Sequence, residues 1–319
     1  MKRLWSTLKS RFDPMTSDIK TIGAGFKPVS SDRQEITRNI VVSRRHPGRW
    51  MVIAVLALLA LQIGQAVAVN PNFHWDVYLN YLFAPQVIRG VGWTLLLTVV
   101  AMTVAITVAG LLVVMRDSEN PILRGIAYGW VWFFRGTPIY TQLLFWGLFA
   151  VLFPNLSLSL PFGPEIVSVE TKYILTPAMA AILGLGFNES AYLTEIFRAG
   201  FNSIDRGQAE AAQALGMKRA KIWIRILMPQ AMRVIIPPTG NEAIGMLKMT
   251  SLVLAIPFTL DLTFATNAIS NRLYLPIPLL LVAGTWYLAI TSLLMVGQYF
   301  LERHFGKGVS YIQHGRSRS

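Results

Sequence analysis

The chain has 319 residues, of which 53% are hydrophobic and only 14% charged, and its mean hydropathy is +0.47. Soluble domains carry about 25% charged residues, so the composition excludes an ordinary soluble domain and places the chain in the membrane class. The net charge of +13 does not make it a nucleic-acid binder, because the charges gather at the edges of apolar runs, where Lys and Arg set topology in a bilayer.

Cysteine is absent, which removes a disulfide framework, a thiolate metal site and a Cys nucleophile. The four histidines, His46, His74, His304 and His314, form no ligand pair at helical spacing, so no metal site is expected.

Residues 1–50 are polar and basic, with eleven Lys/Arg against four Asp/Glu. They read as a cytoplasmic tail whose charge suits anionic lipid headgroups. An apolar run of 19 residues follows, Met51–Val69, long enough to cross about 30 Å of hydrocarbon. Its end, "QAVAVNPN", resembles a signal-peptidase site, but the preceding tail is far too long for an n-region. The run is therefore expected to be a retained transmembrane helix, joined by an extracytoplasmic linker over 70–87. In that linker "NPNFHWDVYLNYLF" reads as an interfacial stretch.

Five further apolar runs lie at 93–114, about 126–153, 177–197, about 234–257 and 277–301. Together the six runs predict an all-α, polytopic membrane bundle, since helices satisfy every backbone group internally. Two spans are interrupted. "FFRGTPIY" breaks the third with Gly136, Pro138 and Arg135, and "IIPPTGNEAIG" places Pro237, Pro238 and Gly240 at the start of the fifth. The outer segment "NLSLSLPFGP" reads as a loop.

With the N-terminus inside, the inner segments 1–50, 115–124, 198–233 and 302–319 hold 24 Lys/Arg. The outer segments hold three, Arg89, Lys172 and Arg272. That asymmetry predicts that both termini are cytoplasmic.

The inner segment 203–230 has its own organisation. Asp205 or Ser203 can cap a helix beginning near Arg206. Gly216 is a plausible stop. A second short helix is expected from about Lys218, with Pro229 near its end. Ala211, Ala212 and Leu215 share an apolar face with Glu210 at its edge. A helix pair too short to span and lined by small residues suits docking into another protein's groove.

At this point the residues carry a resemblance. "EAAQALG" followed by "ILMPQAMR" resembles the EAA loop of ABC importer membrane subunits. The segments "FRGTPIYTQLLFW", "NESAYLTEIFRAGFNSIDRGQAEAAQALGM", "PPTGNEAIGMLKMTSL" and "PIPLLLVAGTWYL" resemble, in order, the polar amino-acid permeases of the histidine/glutamine type.

The resemblance covers about residues 88–302 and implies a five-helix type-I importer core, preceded by one extra helix and followed by a basic tail over 303–319. It implies a coupling helix in which Gln208, Glu210, Ala211, Ala212, Leu215 and Gly216 meet a separate ATPase. It also implies a second permease subunit, identical or not, and an extracytoplasmic binding protein that delivers an amino acid. The chain departs from the expected pattern at Met249, where an acidic or amide residue is expected after the lysine.

Charges inside spans need partners or water, because each costs about 2.5–3.5 kcal/mol at the bilayer centre. On a helical wheel Asn188, Glu189, Tyr192 and Glu195 share one arc, and Asn241, Gly245 and Lys248 another, with Ser251 at its flank. These faces, with Arg135 and Gln142, are the expected translocation path. Glu189 or Glu195 offers an acceptor for a cargo ammonium, and Arg135 or Lys248 a donor for its carboxylate. The same charges could instead pair with one another as structure.

No phosphate-cradling G-x-x-x-x-G-K-[ST], H-E-x-x-H or G-x-S-x-G is present, so the chain is expected to be no enzyme and to carry no cofactor. The reading is therefore an inner-membrane permease subunit of an ATP-driven importer for polar amino acids. Its alternatives are a channel or secondary transporter without an ATPase, and the same family with another cargo such as an opine.

Overall fold

A computed structural model describes residues 47–159 and 165–305. The expected basic tails over 1–46 and 306–319 lie outside the described residues. Two compact units divide the chain after Gln62.

The first described helix, α1 (Pro47–Val69), has apolar residues on every side, and Val52, Leu56, Leu59 and Ile63 are all exposed. A sequence with no polar face suits a helix surrounded by hydrocarbon.

In the second unit the linker forms a turn at Pro71–Phe73 and a short helix, α2 (Trp75–Leu82). The expected interfacial stretch is pinned rather than loose. Tyr78 Oη pairs with Thr285 Oγ1 at 3.0 Å, and Trp286 Nε1 donates to Leu82 O at 2.8 Å.

The long helix α3 (Pro85–Arg116) is the central post. Ala101, Ala105 and Ala109 recur every fourth residue and are fully buried. Such a stripe of small side chains lets helix backbones approach closely. α7 (Pro177–Asn202) lies against it, and a Cβ on Gly186 would stand 3.1 Å from Ala101 O. Leu97, Met102, Leu143, Leu185, Leu193 and Met246 complete this core.

The expected third span is two helices, α4 (Pro121–Gly136) and α5 (Ile139–Leu152), broken at Thr137 and Pro138. Proline has no N–H to give and biases the preceding residue to extended backbone, and Thr137 is extended at φ −117°, ψ 145°.

The loop expected at "NLSLSLPFGP" contains instead the first strand of a hairpin, β1 (Asn155–Ser159) with β2 (Glu165–Glu170), pairing Leu156 with Val169 and Ser157 with Ser168. The alternation Asn-Leu-Ser-Leu-Ser has the strand period of two, which the loop reading overlooked. The fold is thus helical apart from one hairpin among the described residues. A helical turn, α6 (Thr171–Ile174), leads from it into α7.

After α7 come α8 (Arg206–Ala214) and α9 (Arg219–Ile222), then a π-helical turn, Trp223–Leu227, and α10 (Met228–Met249). Pro229 therefore lies near the start of a long helix that continues directly from the π-helical turn, rather than near the end of a short one. Pro237 and Pro238 fall in the interior of α10 rather than at the start of a span.

A 3-10 segment (Thr250–Ala255), α11 (Leu262–Leu273) and α12 (Pro276–Phe305) complete the chain. Val87, Val91, Leu262, Ile269, Leu279 and Val282 form a second core where α3, α11 and α12 meet.

Among the described residues three helices are long and apolar enough to cross a membrane by length and composition: α1 from Gly48, α3 and α12. α5 is apolar but only 14 residues long. α7 and α10 are longer, but polar residues in their midsections dilute their apolar character, and those residues form the site described next.

Candidate functional site

α4, α7 and α10 enclose a cavity of about 540 Å³, within the range of small-molecule sites. It is lined by Arg135, Gly136, Thr137, Pro138 and Ile139 from the broken span, by Asn188, Glu189 and Tyr192 from α7, and by Glu242 and Met249 from α10. Three of the four residues of the expected arc on α7, Asn188, Glu189 and Tyr192, thus face one space with Arg135.

Glu189 is 1% exposed, and neither of its carboxylate oxygens has a hydrogen-bond partner among the described residues. Glu242 shares the cavity wall, on the same face of α10 as Gly245 and Met249. The Arg135 guanidinium lies 5.3 Å from the centre of the Tyr192 ring, close enough for a cation–π contact. The cavity wall therefore holds two carboxyl groups, that of Glu189 buried, and one guanidinium.

Gln142 and Asn188 are spent differently. Gln142 Nε2 donates to Phe134 O and Thr137 O, both at 3.1 Å, and to Thr137 Oγ1 at 2.7 Å. Asn188 Nδ2 donates to Phe134 O at 3.0 Å and to Gln142 Oε1 at 3.2 Å. Helix ends leave carbonyls without intrahelical donors, and these two amides satisfy those at the end of α4. They shape the break that brings Arg135 to the cavity.

Glu195 stands one turn further along α7 and bridges two cations. Arg116 of α3 donates to its Oε1, and Arg198 donates through Nη2 and Nε at 2.8 and 3.0 Å to Oε2. The Arg116 guanidinium also sits 4.4 Å from the Tyr128 ring centre. Glu195 thus serves an ion cluster rather than the cavity.

Asn241 and Lys248 lie on the exposed side of α10, and Ser251 donates to Lys248 O at 2.7 Å. None of the three lines the cavity. Glu242 was missing from the expected path, although it is one helical turn from Gly245 and two from Met249. Reading outward from Lys248 alone selected the neighbouring face.

The docking segment folds as expected at its start. Asp205 accepts from Gly207 N at 2.9 Å. Gly216 sits at φ +76°, a left-handed conformation that favours glycine. Ala212 is buried, while Gln208, Glu210, Ala211 and Leu215 are exposed, and Leu215 is 84% exposed.

Residues 101–307 match the family described as binding-protein-dependent transport system inner membrane component. The chain belongs to that family. It is similar to the arginine transport system permease protein of Corynebacterium glutamicum, 46% identical over 266 residues, covering 83% of this chain and 82% of that one. It is similar to the histidine/lysine/arginine/ornithine transport system permease protein of Escherichia coli, 30% identical with 72% and 97% covered. A crystal structure of an amino acid ABC transporter with histidines superposes with a TM-score of 0.58 at 30% identity, covering 70% of this chain and 95% of that one.

This permease is accordingly a membrane subunit of an ABC-type importer and not an enzyme, and ATP hydrolysis falls to a separate subunit. As an inner-membrane, multi-pass component it works with an ATPase and a binding protein. The channel and secondary-transporter readings are set aside.

Proposed function

We propose that the permease carries amino acids with a cationic side chain, and that the cavity between α4, α7 and α10 is where they pass. The observation that carries this reading is the buried carboxyl of Glu189, without a hydrogen-bond partner among the described residues, in the wall of a cavity that Glu242 and Arg135 also line. A buried carboxylate without a partner is costly, and a cargo cation repays that cost while it is bound. Arg135 supplies a donor for the cargo carboxylate, and the second acidic group leaves an acceptor for a side-chain ammonium or guanidinium. Relatives named for arginine and for histidine, lysine, arginine and ornithine support the same class.

The exposed polar residues Asn241 and Lys248 of α10, with the half-buried Ser251 just beyond its end, complete the path on a face turned to a second permease subunit, identical or homologous. The membrane topology is six spans, with both termini cytoplasmic, as the distribution of Lys and Arg supports. The coupling surface is Gln208, Glu210, Ala211, Leu215 and Gly216, held from behind by Ala212. ATP-driven closure of the ATPase pair draws these surfaces together, and the cavity changes side because the partners bind the two states unequally.

Uptake into proteoliposomes holding the permease with its ATPase and binding protein tests the cargo. ATP-dependent arginine uptake that excess lysine competes away, that excess glutamate leaves alone and that Glu242→Gln depresses is the expected result. Equal competition by glutamate, or no effect of Glu242→Gln, overturns the cationic reading. Loss of ATPase co-purification in Glu210→Lys with Gly216→Trp, with the permease still folded, tests the coupling surface separately.

A further inference from the structure

α10 runs from the docking segment to the cavity. It begins directly after the π-helical turn Trp223–Leu227 and carries Glu242 and Met249 into the cavity wall. Midway it contains Pro237 and Pro238. Neither proline has an N–H, so the carbonyls of Arg233 and Val234 receive no donor four residues on, and the ladder is weakest there. Helices bend at such points.

A side chain from another helix bonds the proline pair itself, about one turn beyond those two carbonyls. Gln298 of α12 is 8% exposed, and its Nε2 donates to Pro237 O and to Glu302 Oε1, both at 2.8 Å. Its Oε1 lies over Gly240, where an added Cβ would collide with it. Gly240 is therefore the seat that lets the amide reach the proline carbonyl. Nothing in the cavity or the docking surface requires Gln298, yet it is a buried amide spent on the one interrupted turn of the helix that joins them.

We infer that Gln298 is a positioning residue for coupling, a clasp that makes the two halves of α10 move as one body. With the clasp closed, displacement of the docking end is delivered to Glu242 and the cavity wall. Without it, α10 flexes at Pro237 and Pro238, and ATP is spent without moving cargo. The inference rests on the coupling surface assigned above.

The test uses the full permease with its ATPase and binding protein in proteoliposomes, and reads ATP hydrolysed per arginine taken up. The ratio is read on complexes purified with permease and ATPase in fixed stoichiometry, and the ATP hydrolysed without binding protein is subtracted, so that misfolded permease does not enter it. Gln298→Leu is expected to raise the ratio at least about fivefold, the lower range of coupling between two sites. Gln298→Asn, too short to reach the carbonyl, is expected to do the same. Gly240→Ala is expected to raise the ratio by itself but to add nothing once Gln298 is already Ala.

An unchanged ratio in both Gln298 variants overturns the clasp, whatever happens to total activity. A Gly240→Ala effect that persists undiminished in the Gln298→Ala background overturns it as well. The two readings fail differently. A wild-type permease that brings down no ATPase refutes the coupling surface and the clasp with it, whereas ATPase present with an unchanged ratio refutes the clasp alone.

Discussion

Asn188 donates to Gln142 Oε1 at 3.2 Å, joining α7 to α5 across the end of α4. Both amides are buried, and both also serve Phe134 O. Removing Asn188 leaves the buried Gln142 Oε1 without its donor and removing Gln142 does the same to Thr137 O, which costs about 1–3 kcal/mol. Gln142→Ala and Asn188→Ala are each expected to lower the thermal midpoint in detergent. Because the two amides bond each other and share Phe134 O, the double variant is expected to depart from the sum of the single losses by about 0.5 kcal/mol or more. A strictly additive pair would show that the two amides act separately.

Glu195 anchors two arginines from two helices, with side-chain exposures of 23% for Glu195 and 14% for Arg116. Breaking a buried pair by removing one partner is expensive, whereas exposed pairs are worth little. This cluster is partly buried, so Glu195→Gln is expected to cost about 1–2 kcal/mol, between those limits. Pairing Glu195→Gln with Arg116→Met is expected to recover most of the loss, because the more buried of the two cations is then no longer stranded, while Arg198 keeps its access to solvent. Thermal unfolding of the three variants at low and high salt checks this, and a salt-insensitive loss that Arg116→Met fails to relieve counts against the ion cluster.

The sequence carried the pieces of this arrangement unevenly. Proline and glycine at 136–138 announced the broken span, because local backbone chemistry alone forces it. The helical wheel placed Asn188, Glu189 and Tyr192 on one face, because a rigid helix preserves spacing. What could not be read is which groups meet between helices. Gln142 could be a ligand or a cap until Phe134 O and Thr137 O were seen beside it. Glu195 could serve the cavity until Arg116, 79 residues away, was found on it. The diproline of α10 misled for the reverse reason, since prolines usually end helices and here tertiary packing by α12 carries the helix through them.

Gly90 and Gly92 are neighbours on α3 with opposite constraints. A Cβ at Gly90 would stand 2.8 Å from Leu262 Cα, which is backbone and cannot swing away, while a Cβ at Gly92 meets nothing within 4 Å. Gly90→Ala must separate α3 from α11, at a cost of about 1–3 kcal/mol typical of overpacking. Gly92→Ala is expected to be neutral or to stabilise by up to about 1 kcal/mol through helix propensity. Thermal midpoints that move in opposite directions support the packing. A shared direction would mean that residue 90 does not approach Leu262.

Asp261, in the segment between the last two apolar runs, is fully buried and caps α11. Its Oδ2 accepts from Thr263 N at 2.8 Å and Phe264 N at 3.3 Å, while Oδ1 has no partner among the described residues. Burial raises its pKa above the ordinary carboxylate value, and the two backbone N–H donors offset only part of that. A carboxylic acid with a raised folded pKa binds its proton more tightly in the folded state than in the unfolded one. Its contribution to stability is complete below the unfolded value of about 3.9 and is lost as pH rises through the folded value. Asn at this position keeps the capping oxygen and carries no charge to desolvate. Asp261→Asn is therefore expected to match or trail the parent in acid and to gain on it as pH rises, whereas Asp261→Ala loses the cap, at about 0.5–2 kcal/mol, at every pH. Melting the three proteins in detergent from pH 4 to pH 8 decides between these outcomes, and a difference between Asn and Asp that does not change with pH would show that the folded and unfolded carboxyls titrate alike.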